Sequence, residues 1–173
     1  GGQIRTAFSI TPRSLEKCKV DAIGGQTYTG REITPEVTVR DGSKVLENGR
    51  DYTVSYSDNI EVGKNAKAVI EGKGNYTGSC SLKFSITARP VSTLKITVPS
   101  VTYNGKAQKP AVTVKYNNYT FKNGTDYTLS YKNNTKIGTA TVTVKGKGKL
   151  SGTRSVTFKI NAKPIKNAVI TYN

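Results

Sequence analysis

The sequence predicts an all-β protein built as two tandem small sandwiches, on three observations: a strand-favouring composition, apolar residues that alternate with polar ones, and an internal repeat of about 75 residues. Thr, Tyr, Val, Asn, Gly and Lys dominate, and His, Trp and Met are absent. That balance favours pleated strands joined by tight turns over helices. A hydrophobic content of 35% in 173 residues leaves room for two modest cores rather than one large one. No apolar run approaches the length of about 18 residues that a membrane helix needs.

The repeat organises everything else, so it is read first. Tyr28-Thr29-Gly30-Arg31 returns as Tyr103-Asn104-Gly105-Lys106, and Pro35, Val37 and Val39 return as Pro110, Val112 and Val114. Asp51-Tyr52-Thr53-Val54-Ser55-Tyr56 returns as Asp126-Tyr127-Thr128-Leu129-Ser130-Tyr131, and Gly63 returns as Gly138, all at an offset of 75. The offset then drops to 74: Gly72-Lys73-Gly74 matches Gly146-Lys147-Gly148, and Phe84-Ser85-Ile86 matches Phe158-Lys159-Ile160. The second copy has therefore lost one residue near Lys64. Pro90 and Pro164 close the copies, which gives domains 1–88 and 89–162. Residues 163–173, with Ala168-Val169-Ile170, read as the start of a truncated third repeat or a tail. A chain without Met that opens on Gly1-Gly2 is expected to be a piece of a longer array, with Gly1 a tag remnant.

Within each copy the elements follow in order. Tyr52, Val54 and Tyr56 alternate with Thr53 and Ser55, and Val156, Phe158 and Ile160 with Thr157 and Lys159, which is the period of half-buried strands. Asp41-Gly42 suits a type I′ hairpin, and Asn117-Asn118 replaces it in the second copy. Asn48-Gly49 and Asn123-Gly124 mark the next boundary, and the Gly-Lys-Gly stretches at Gly72 and Gly146 read as hairpin turns. Six or seven short strands per copy, with turns every eight to twelve residues, make a compact immunoglobulin-like sandwich.

The ordered series Tyr-x-Gly-Lys/Arg, Asp-Tyr-Thr-x-Ser-Tyr, Gly, Gly-Lys-Gly-Asn-Tyr-Thr-Gly and Phe-x-Ile resembles the bacterial Ig-like tandem repeat modules of Gram-positive, Firmicutes-type cell-surface and secreted proteins. The resemblance covers nearly all of residues 15–162. The second copy departs from it at Lys149-Leu150-Ser151, where the first has Asn75-Tyr76-Thr77. It implies an extracellular, secreted or wall-associated setting and a stalk or accessory role, and it assigns no ligand.

Chemistry finds little material. With no His, no paired carboxylates in the second copy and no thiol placed near a base, the residues do not suggest an enzyme. A single acid in the second copy cannot build an oxygen cage and two separated Cys make no zinc motif, so neither metal nor cofactor is expected. The Tyr52, Val54, Tyr56 face reads as core, with hydroxyls reaching water or backbone. Asp51 and Asp126 read as turn residues that accept backbone N–H groups. Gly-Lys-Gly lacks the following helix that a phosphate loop needs. The sequons at Asn75, Asn118, Asn123 and Asn133 suit chance in an Asn/Thr-rich chain. With inward positions apolar or Tyr, no buried Lys is expected to form an isopeptide staple.

Two features remain. Cys18 falls on the expected first strand and Cys80 near the start of the last; if these adjoin, a disulfide would stabilise the first copy by roughly 4 kcal/mol in the chain-entropy account. Whether the strict geometry of a disulfide is met stays open at this point. The net charge of +16 is also uneven. Residues 1–88 carry 12 basic and 10 acidic side chains, whereas 89–173 carry 15 basic ones against Asp126 alone. Lys145, Lys147, Lys149 and Arg154 are the candidate polyanion-binding residues, with edge protection by lysine as the plainer account.

Three functions follow as expectations. The first is a structural spacer, a monomer within a longer array. The second is adhesion or wall retention through anionic polysaccharide or teichoic acid held by the second copy. The third is an accessory domain of a larger secreted hydrolase. Specific nucleic-acid binding is not expected, since there is no recognition helix or stacking platform.

Overall fold

A computed structural model of the chain describes residues 2–4 and 6–164. It is all-β, with 49% strand and only 3-10 turns for helix. It divides into two compact units, Gly1–Thr87 and Ala88–Asn173. The expected third-repeat strand at 168–170 lies outside the described residues.

Unit 1 runs β1 (Arg13–Ser14), a 3-10 turn (Leu15–Lys17), β2 (Lys19–Val20), β3 (Gln26–Thr27), β4 (Val39–Asp41), β5 (Lys44–Val45), β6 (Tyr52–Ser57), β7 (Gly63–Gly72), β8 (Tyr76–Thr77) and β9 (Ser79–Thr87). Its sheets are ordered β3-β9-β7-β6 and β2-β4-β5, with β1 and β8 as a short parallel pair. Unit 2 repeats this as β10 (Arg89–Pro90), a 3-10 turn (Val91–Thr93), β11 (Lys95–Thr97), β12 (Val101–Thr102), β13 (Thr113–Tyr116), β14 (Tyr119–Phe121), β15 (Tyr127–Lys132), β16 (Gly138–Gly146), β17 (Leu150–Ser151) and β18 (Thr153–Asn161). The corresponding orders are β12-β18-β16-β15, β11-β13-β14 and β10-β17. Each unit thus has nine strands, more than the six or seven expected, because two-residue bridges such as β1–β8 leave no periodic signal.

The alternation read from the sequence places the core. In β7, Ala66, Ala68 and Ile70 are buried, while Lys67 and Val69 between them stay partly exposed. Ala68 and Ile70 meet Val37, Val39 and Leu46 from the facing side in one cluster with Leu15, Tyr52 and Tyr76. Full burial of a side chain such as Ile70 contributes about 1.5–3 kcal/mol. The fold is a sandwich because both sheets must bury one face.

The one-residue drop in repeat offset has a structural cause. Between Gly63 and Ala66 the β7–β9 register shifts, with Gly63 opposite Ile86 and Ala66 opposite Phe84. The matching β16–β18 ladder runs without interruption from Gly138 opposite Ile160 to Ala140 opposite Phe158. Unit 1 absorbs its extra residue as a β-bulge, so side chains beyond it still face the core.

Two expectations need correction. The β4–β5 loop is Gly42-Ser43, with Asp41 paired to Lys44, and only Gly42 has positive φ, at 61°. In unit 2 only Asn117 of Asn117-Asn118 does, at 49°. A type I′ turn needs positive φ at both central residues, so the type I′ expectation fails; Gly leading suits the II′ pattern. Cys18 does not lie on a strand either: it closes the 3-10 turn, donating its N–H to the Leu15 carbonyl at 2.9 Å. Ser14 starts that turn by accepting from the Glu16 N–H, and Leu15 anchors it in the core.

Candidate functional site

Side chains capable of chemistry are bound, copy by copy, to the protein's own backbone. The hydroxyl of Tyr52 donates to the Val37 carbonyl at 2.7 Å, and that of Tyr127 to Val112 at 3.1 Å. Tyr56 donates to the Pro35 carbonyl, and Tyr131 to Pro110 at 3.0 Å. Burial pushes the phenol pKa of all four above the ordinary value, so they are neutral donors and not bases. Open depressions of about 500 Å3 and about 630 Å3 lie beside these pairs at Pro35 and Pro110, but the hydroxyls there are already used.

Asp51 and Asp126 sit where turn residues should. Asp51 accepts the Glu47 N–H at 3.0 Å and Asp126 the Lys122 N–H at 2.7 Å, and both are nearly buried. Arg50 also grips Asp51, at 3.2 and 2.9 Å. That guanidinium, followed by the Glu47 N–H, lowers the Asp51 pKa to about 2. One repeated pair gave no sequence signal. Asn59 donates its side-chain N–H to the Ile33 carbonyl at 3.1 Å, and Asn134 to Gln108 at 2.7 Å, each clipping a distant segment in place. Asn at an irregular position reads like any loop residue, and only its recurrence at offset 75 marks it.

The four candidate polyanion residues do not form one cluster of available cations. Arg154 is bound to backbone, its Nη1 donating to Leu94 O at 2.8 Å and Ser92 O at 3.2 Å. Lys147 lies 3.5 Å from the Gly124 carbonyl, as Lys73 lies 2.7 Å from Gly49 in unit 1. Lys149 is half-buried, and its carbonyl receives the Arg89 N–H at 3.0 Å. Only Lys145 stands on the solvent side of the sheet, opposite Thr128 and Thr153. It shares that side with two lysines not singled out in the sequence, Lys132 opposite Thr141 and Lys159 opposite Thr139. Between them lies a hydroxyl field in which Thr143 and Ser155 are 2.8 Å apart. Period-two parity could have found these lysines, because each is out of phase with Leu129, Val144 or Phe158. At the position of Lys145 the first unit carries Glu71, on an outer face where Lys67 lies opposite Lys83, so only the face of unit 2 is free of acids.

The two cysteines are thiols, both half-buried, and both packed on the core cluster of unit 1. Among the described residues no three Cys, Asp or Glu side chains gather as a metal site, no lysine is buried, and no buried side-chain N or O lacks a hydrogen-bond partner. No helix there is long and apolar enough to cross a membrane. No protein-family model matches the chain, and no curated protein matches it.

Proposed function

We propose that the chain is a non-catalytic spacer, two immunoglobulin-like repeats of a secreted or cell-surface bacterial protein. One observation carries this reading: in both units the same tyrosines, aspartates and asparagines are bound to the fold's own backbone, so the polar side chains shared by the copies serve architecture. The fold accounts for these groups without a catalytic role. The tandem arrangement, the Pro90 boundary and the motif resemblance support the extracellular setting. Calorimetric titration of the full chain with neutral cell-wall glycans and muropeptides is expected to give no saturable heat. A reproducible micromolar Kd would overturn the spacer reading.

A second reading has its own observation, the acid-free face of Lys132, Lys145 and Lys159. Such a face holds a polyanion through counterion release and loses it in salt. Full-length chain is expected to bind teichoic-acid-bearing wall at low salt, and a variant with all three lysines changed to Glu to lose that binding. Equal retention of both proteins would remove the idea.

A further inference from the structure

Cys18 and Cys80 are the chain's only thiols, and unit 2 shows what their two positions do to each other. Leu94 stands where Cys18 stands: it closes the second 3-10 turn by donating its N–H to Val91 at 3.2 Å, as Cys18 does to Leu15. Arg154 stands where Cys80 stands, second in the last strand and opposite Val144, as Cys80 is opposite Ile70. From there the Arg154 guanidinium reaches the Leu94 and Ser92 carbonyls. In unit 2, then, the side chain at the start of the last strand braces the turn that opens the unit. In unit 1 the same two positions carry sulfur, both packed against the core cluster that includes Leu15 and Ile70.

We propose that Cys18 and Cys80 form a disulfide under oxidising conditions, giving unit 1 a covalent, redox-dependent brace where unit 2 has a permanent arginine brace. The oxidant is a low-molecular-weight disulfide. One cysteine thiolate attacks it, releasing the first small thiol and leaving a mixed disulfide. The second cysteine displaces the other small thiol, so the protein loses two protons and two electrons and the oxidant becomes two thiols. Both residues are partly exposed, which lets a small oxidant reach them. Burial raises both thiol pKa values, Cys80 further through Cys18 and Cys18 further through Asp41, so closure is faster at alkaline than at neutral pH.

The brace has a mechanical consequence, which rests on the spacer reading although the bond itself does not. Force applied along a tandem array enters unit 1 near β1 and leaves by β9. A bond between residues 18 and 80 carries it past the 61 residues between, shielding about 210 Å of contour length from extension.

The test uses the full chain treated with oxidised glutathione or with dithiothreitol. After oxidation we expect no thiol reactive in denaturant, a mass lower by about 2 Da, a cross-linked Cys18–Cys80 peptide, and a unit 1 melting transition raised by on the order of 10 °C. Two reactive thiols, or two stable glutathione adducts, would overturn the bond. The variant Cys18→Leu with Cys80→Arg installs the unit 2 brace, and is expected to melt at or above reduced wild type with no response to oxidant. Melting well below reduced wild type would overturn the equivalence of the two braces. In single-molecule pulling, oxidation should shorten the unit 1 release step and leave the unit 2 step at full length, an internal reference. Thiol titration reads the bond and ligand titration reads the spacer role, so either can fail without the other.

Discussion

Deleting Asn65 should be nearly neutral, although it removes a residue from the ten-residue strand β7. Lys64 and Asn65 are exposed and sit in the bulge between Gly63 and Ala66. Removing one of them leaves Ala66, Ala68 and Ile70 opposite Phe84, Leu82 and Cys80 and joins Gly63 to them as Gly138 is joined in unit 2. No buried surface is lost, and one residue fewer must be ordered, a saving of about 1–2 kcal/mol offset by lost ladder bonds. The net change is expected within about 1 kcal/mol. Deleting Val69 removes the same number of residues but forces one side of the strand to exchange faces, exposing Ile70 or the alanines and turning Glu71 inward. Loss of Ile70 packing alone costs about 2–5 kcal/mol. Since both thiols lie in unit 1, the rise of their labelling rate with urea, from the slow rate of the half-buried folded-state thiols to that of the unfolded chain, reads that unit separately from unit 2. The Asn65 deletion should shift the midpoint of that rise by less than about 1 M, and the Val69 deletion should label at the unfolded-chain rate without urea. If the two deletions cost the same, the bulge is not what reconciles the two repeat lengths.

Further predictions concern backbone clearance, acid stability and coupling. Gly72→Ala would place a Cβ 2.6 Å from the Thr77 backbone N and should cost more than about 3 kcal/mol by thiol labelling, whereas Gly49→Ala, with open space but φ of 88°, should cost about 1–2 kcal/mol. The Asp51 pKa of about 2 lies below its unfolded value near 4, so its contribution is complete above the unfolded value and lost as pH falls through about 2. Tyrosine fluorescence during urea unfolding at pH 6, 3 and 2 should show that loss in wild type and a flatter profile in Asp51→Asn. Arg13 pairs with Asp41 at 2.9 Å and Tyr76 donates to the same carboxylate at 3.2 Å, so Asp41→Tyr alone should destabilise unit 1. Adding Tyr76→Leu should recover about 1 kcal/mol in a double-mutant cycle, and strict additivity would refute the coupling.

Much of this fold was legible because its signals are local or repeated. The Tyr52, Val54, Tyr56 parity gave the core face, and the Asp51 and Asp126 positions gave their turn bonds. The drop in offset near Lys64 located the difference in repeat length, which the structure shows as a bulge. Other features depend on segments far apart in sequence. The β1–β8 pair spans two residues per strand, below any periodic signal, and the Asn59 clip joins positions 26 apart. The candidate lysine series does not share one strand face, for a related reason. Lys145, Lys147 and Lys149 alternate in sequence, but the chain leaves its strand at Gly146, so strand parity stops applying after Lys145.

The comparison of the two units gives Arg154, an exposed cation, a structural role as well. Taken alone, an arginine in a half of the chain with net charge +14 is naturally assigned to a polyanion. Its carbonyl partners lie on the turn that opens unit 2, and in the first copy both the residue aligned with Arg154 and the residue aligned with Leu94 are cysteines. The same logic applies at Arg13 and Arg89. The arginine is kept, and its partner changes from the Asp41 carboxylate to the Tyr116 ring, 3.5 Å from the guanidinium carbon, while Tyr76, which donates to Asp41, becomes Leu150. Partners change together because a buried or half-buried polar group left alone costs more than either arrangement that satisfies it. Differences between the copies are therefore correlated across the sandwich at these sites. On the sheet's outer face, where Lys145 replaces Glu71 with no partner change required, they are free to set net charge without altering how the unit folds.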